Sequence, residues 1–135
     1  MKIPFLSSVA SLVFLMVLAG CSSSTQVTNK SGILLEKVKV NSVEFSENLN
    51  HCGDGCSTGF INVPSGTNVI SLKVAPGSEW MVLGKLGPFE KNSHYSVTIT
   101  KNGDNFCAEL WKRLQTSTTF NDDATKIFVE KSCLP

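Results

Sequence analysis

His94-Tyr95-Ser96-Val97-Thr98-Ile99-Thr100-Lys101-Asn102-Gly103 is the stretch that decides the fold class. Tyr95, Val97 and Ile99 fall on one face of an extended chain. His94, Ser96, Thr98 and Thr100 fall on the other. Such alternation marks a strand with one face on a core. Asn102-Gly103 then signals a hairpin, because both central positions of a type I′ turn need positive φ. The chain returns through Phe106 to Leu114, where alternation is poor: Phe106, Ala108 and Leu110 oppose Cys107, Glu109 and Trp111. A short helix over Ala108–Leu114 competes with a strand there.

The same rhythm extends outward in both directions. Ile33 to Val40, Phe60 to Val63, Val69 to Val74 and Trp80 to Leu83 are short apolar or alternating runs. Pro64-Ser65-Gly66, Ala75-Pro76-Gly77-Ser78 and Gly87-Pro88 punctuate them as turns or breaks. Lys126 to Glu130 reads as the last strand. Short strands between frequent turns predict a mainly β chain, a small antiparallel β-sandwich or barrel-like domain. The rhythm of Pro64-Ser65-Gly66 and the Tyr95 strand resembles that of immunoglobulin- and transthyretin-like β domains in general. No function is drawn from that likeness.

The N-terminus carries a different signal. Lys2 is followed by an apolar stretch, Val9 to Ala19, broken only by Ser11. That length suits the core of an export signal and is short for a membrane span. Leu18-Ala19-Gly20-Cys21 closes it. This order of Leu, two small residues and Cys resembles the lipobox of bacterial lipoproteins. The resemblance implies removal of residues 1–20, a diacylglycerol on the Cys21 thiol and an acyl group on its new amino terminus. It implies no cofactor beyond that covalent lipid. One acyl chain binds a bilayer only reversibly, so durable anchoring takes two or more. Ser22 follows where Asp would favour inner-membrane retention. The resemblance therefore implies the periplasmic face of the outer membrane, for a Gram-negative source. Residues 21–32 then read as the lipidated start and a flexible Ser- and Thr-rich tether of at most roughly 40 Å. Residues 33–135 read as a disulfide-stapled β domain.

Composition narrows the partners. Loss of residues 1–20 removes Lys2 and leaves eleven basic against eleven acidic side chains, a net charge of zero. That gives no electrostatic case, from net charge, for nucleic acid or for an anionic membrane surface. The mature chain has the length of one domain, small enough to benefit from staples. With Cys21 assigned to lipid, Cys52, Cys56, Cys107 and Cys133 form an even set, which in an exported chain reads as two disulfides. Three connectivities are open. Cys52–Cys56 and Cys107–Cys133 are favoured, one closing a Gly-containing loop and one joining two late strands.

Candidate sites are few. His51-Cys52-Gly53-Asp54-Gly55-Cys56 is the densest cluster, with His51 and Asp54 as binding candidates on a stapled loop. Its spacing lacks the paired pattern of a zinc site and the two-residue gap of a redox motif, so no metal is assigned. Trp111-Lys112-Arg113 is the best surface candidate: a ring beside two cations suits a glycan or an acidic partner. Trp80, Phe89, Tyr95 and Phe120 are further aromatics for a platform, with core packing as the competing role. Asn121-Asp122-Asp123 reads as a solvated turn. His94 and His51 stand in no Ser/His/Asp pattern, and neither GxSxG nor HExxH occurs, so no catalytic residue is named. The expectation is a membrane-anchored envelope lipoprotein with a binding or assembly role, its partner an envelope protein or glycan. A small hydrolase of glycan or peptide, and a structural subunit of an envelope or secretion complex, are the competing classes.

Overall fold

The computed structural model describes residues 21–50, 56–114 and 126–134. Two sheets pack face to face. The strands are β1 (Ser22–Asn29), β2 (Leu35–Val40), β3 (Val43–Phe45), β4 (Cys56–Ser57), β5 (Ile61–Pro64), β6 (Gly66–Val74), β7 (Met81–Phe89), β8 (His94–Asn102), β9 (Asn105–Arg113) and β10 (Lys126–Cys133). One sheet runs β10-β9-β8-β1-β4, with β5 also paired to β1; the other runs β3-β2-β6-β7. Pairing is antiparallel except between β1 and β8. Among the described residues no helix is long and apolar enough to cross a membrane.

The core is what alternation predicts for β8 and its neighbours. Tyr95, Val97, Ile99, Phe106, Ala108 and Leu110 line the inner face of the six-stranded sheet. They meet Leu35, Val38, Val40, Ile70 and Leu72 of the other sheet in one core closed by hydrophobic burial. The Glu90 N–H donates to Tyr95 Oη at 2.8 Å, and the Tyr95 ring tilts against Phe89 at 5.1 Å. Tyr95 and Phe89 are therefore core residues and no platform.

Four expectations change. First, residues 22–29 are a strand and no tether. β1 lies inside the six-stranded sheet, parallel to β8 on one side and antiparallel to β5 and β4 on the other. Most of its polar side chains are satisfied in place, while the buried Thr25 Oγ1 has no hydrogen-bond partner. Ser23 Oγ donates to the Glu90 carbonyl at 2.7 Å, and Thr28 Oγ1 and Ser57 Oγ share a 2.6 Å bond. Asn29 Nδ2 donates to the Ile33 carbonyl and to Asn50 Oδ1, both at 2.9 Å. Hydrogen bonding removes most of the desolvation penalty of buried polar groups, so a Ser/Thr-rich segment can occupy an interior strand.

Second, Ala108–Leu114 holds no helix, because both edges of β9 are paired, to β8 over nine residues and to β10 over seven. Third, the hairpin turn falls one residue later than read. Asn102 pairs with Asn105, so the central residues are Gly103 and Asp104, and only Gly103 has positive φ, at 63°. Glycine at the first central position is the type II′ preference.

Fourth, Gly87 and Pro88 do not break the chain but lie within β7, as does Gly84. β7 is an edge strand, where a missing proline N–H is tolerated. β10 leans across to it. Ser132 Oγ donates to the Leu83 carbonyl and the Gly87 N–H donates to Glu130 Oε1. Gly84, at φ 129°, leaves the space that Ser132 fills; a Cβ there would collide with the Ser132 hydroxyl. The sandwich is thus nearly closed on its β7–β10 side.

Candidate functional site

The outer face of the six-stranded sheet carries the most developed surface. Register stacks Gln26, Ser96, Trp111 and Phe128 in one row, with Thr28, Thr98 and Glu109 in a row two residues further along β1. A groove of about 260 Å³ opens here, lined by Lys30, Thr98, Thr100, Glu109, Trp111 and Lys126. Trp111 is half-buried. Its indole Nε1 donates to Glu109 Oε1 at 3.1 Å, which fixes the ring plane and the carboxylate together. Phe128 meets the ring edge-on at 5.3 Å, and Lys126 Nζ stands 5.1 Å from its centroid. Lys131 Nζ approaches Glu109 Oε2 at 3.9 Å. The result is an aromatic wall, two threonines, one carboxylate and two lining lysines. A flat ring beside hydroxyls and charged donors suits a polar, hydroxylated ligand that carries negative charge.

The candidate triplet splits across the sheet. Successive strand residues point to opposite faces, so Trp111 and Arg113 share the outer face while Lys112 does not. Arg113 Cζ lies 5.8 Å from the Phe60 ring, which packs edge-on against His94 at 5.9 Å. Lys112 Nζ donates to Glu90 Oε1 at 2.8 Å, and this bond raises the Lys112 pKa above the ordinary lysine value. Trp80 sits on the outer face of the other sheet, with Lys39 and Lys73 Nζ at 4.0 and 5.3 Å from its ring. His94 and Glu109 are set apart: His94 pairs with Arg113, and Glu109 with Thr98, four positions along β8.

Cys107 and Cys133 are register partners on β9 and β10 and are disulfide-bonded, the favoured pairing of two late strands. Cys56 is buried on β4 and disulfide-bonded. Cys52, His51 and Asp54, and the Asn121-Asp122-Asp123 turn with Phe120, lie outside the described residues. Cys21 is a free thiol, half-buried. Among the described residues no three His, Cys, Asp or Glu side chains gather as a metal cluster would require. Lys30 and Lys126 were missed from sequence because strand register alone places them beside Trp111. Thr98 and Thr100 were legible as the polar face of β8.

No family model, no curated protein and no solved structure matches this chain.

Proposed function

We infer that the protein is a lipid-anchored lipoprotein of the bacterial cell envelope that binds a polar ligand on the outer face of its six-stranded sheet. Anchoring rests on Leu18-Ala19-Gly20-Cys21 and is supported by the thiol of Cys21, which is free while Cys56, Cys107 and Cys133 are bonded. Binding rests on the Trp111 groove, which offers a stacking face together with hydroxyl, carboxylate and ammonium groups. A carboxylated envelope glycan is the ligand class that fits this chemistry. The hydrolase reading calls for a histidine, a carboxylate and a hydroxyl at one point; among the described residues the histidine is His94, and it stands four register positions from Glu109. Binding is therefore the better-supported role.

Two experiments test the reading. Cys21→Ser should leave the protein released from membranes or accumulating as unprocessed precursor in cell fractions; normal processing and anchoring of that variant would refute the lipid assignment. Soluble muropeptides titrated into the protein should be bound, with a neutral oligosaccharide bound more weakly. Trp111→Ala should reduce that affinity by about thirtyfold, the loss of roughly 2 kcal/mol typical of an aromatic anchor. Equal binding by the Trp111→Ala variant, or no binding by the parent protein, would overturn the groove as the ligand site.

A further inference from the structure

Resting on the lipid assignment of Cys21, we propose that one end of the sandwich is itself a membrane-contact surface, so that the domain lies against the bilayer. The first observation is that no slack separates Cys21 from the fold. The Ser65 N–H donates to the Cys21 carbonyl at 2.9 Å, the Asn92 N–H donates to the Ser22 carbonyl at 3.0 Å, and the Ser24 N–H donates to the Ser93 carbonyl at 3.0 Å. Acyl chains on Cys21 therefore fix the level of this end of the domain relative to the lipid.

The second observation is what surrounds that end. Ser24, His94, Arg113 and Lys126 form one row across the sheet; Thr25, Tyr95, Lys112 and Ile127 form the next, with Ile61 on the other side of Thr25. At roughly 3.3 Å per residue these rows lie about 10–13 Å from Cys21 along the strands. Leu114 is one step nearer. Ile127 and Leu114 share the strand parity of core residues such as Leu110, yet they are 52% and 41% exposed. Phe60 and Ile61 are exposed at 46% and 42%. Of the seven exposed large hydrophobics among the described residues, these four lie at this end; Leu34 and Val82 lie elsewhere, and Phe128 stands one row further along, against Trp111. Exposed apolar groups gathered at one end of a domain mark an interaction surface.

Arg113 and Lys126 stand beside them, and Lys91 is exposed on the loop that holds Ser22. Apolar side chains rimmed by cations suit a surface of anionic phospholipid. The fit sits at the point where the covalent anchor enters, which selects a bilayer over a soluble partner. It follows that the Trp111 groove opens within about 25 Å of the anchor, at the height of material attached to or resting on the membrane.

The two native tryptophans allow a test on the full lipidated protein. Trp80 precedes Met81, the partner of Leu72, and so sits roughly 20 Å along β6 from Gly66 at the Cys21 end. One variant, Trp111→Phe, keeps Trp80 as the distal probe. A second, Trp80→Phe/Trp111→Phe/Leu114→Trp, places a proximal probe. Both are reconstituted into phosphatidylglycerol-containing vesicles bearing nitroxide-headgroup lipid, and flotation is measured before fluorescence. Quenching at position 114 should exceed that at Trp80 at least threefold, and adding Ile127→Asp should lower it. Protein that floats yet shows equal, weak quenching at both positions overturns the contact surface while leaving the anchor intact. Protein that fails to float overturns the anchor assignment and this proposal with it.

Discussion

A chain that begins at Ile33 is expected not to fold, whereas one that begins at Ser22 should fold and unfold cooperatively. Ile33 is where the composition suggests that the domain starts. Removing residues 22–32 takes β1 out of the interior of a sheet. Six register pairs with β8, four with β5 and two with β4 disappear together. The edge of β8 and the short strands β4 and β5 lose their partner at once. Val27, fully buried, leaves a hole between the sheets, and core truncations of that kind cost about 1–3 kcal/mol before any backbone loss is added. Net hydrogen bonds contribute about 1 kcal/mol each. Their combined loss rivals the whole stability of a small domain, about 5–15 kcal/mol. Circular dichroism and thermal unfolding of the two chains decide the matter. Equal melting midpoints would show that β1 is dispensable.

That result would also explain why β1 was illegible while β8 was plain. β8 places Tyr95, Val97 and Ile99 against the core, and the two-residue period shows directly in its letters. β1 turns Ser23, Thr25, Val27 and Asn29 to the same core, but three of those four are polar. Ser23 and Asn29 are held by partners distant in sequence, Glu90 and Asn50, and Thr25 is buried with its hydroxyl unpaired. Composition sees polarity; it cannot see the satisfied hydrogen bond. β9 was ambiguous for another reason. Phe106, Cys107 and Ala108 are consecutive and all buried, because a disulfide covers the outer face where alternation would place a polar residue. β10 carries a register shift between Phe128 and Glu130, and a bulge changes which residues share a face.

The candidate site was legible in proportion to its locality. Trp111 stands out in the sequence as a large ring beside two cations. Arg113 falls on the same face once β9 is a strand, and Lys112 does not. Lys30 and Lys126 are far from Trp111 in sequence and reach the groove through two separate strand pairings. Glu109 could be read only as a lone carboxylate, since its bond from the Trp111 indole needs the extended geometry that puts residues two apart side by side. The aromatic was therefore visible and its polar company was not.

Replacing Cys107 and Cys133 together by Ser is expected to lower stability by about 3–4 kcal/mol, with the thermal midpoint falling on the order of 10–20 °C. The two sulfurs join residues 26 apart in sequence. In a loop-entropy account their link removes freedom mainly from the unfolded chain. β10 feels the loss most in the folded state. It is a terminal strand whose other edge meets β7 through side chains, the Ser132 hydroxyl to the Leu83 carbonyl and Glu130 to the Gly87 N–H. Residues 107 and 133 pair at the end of β10 remote from Lys126, Phe128 and Trp111. Amide exchange should therefore rise first along Lys131–Leu134, with the groove loosening only as the strand frays toward Lys126. Ligand affinity at 25 °C should fall less than the melting midpoint implies, because the folded population remains large. A double variant that melts within about 2 °C of the parent would mean that the unfolded chain is already held together near these residues, and that the staple acts on something other than chain entropy.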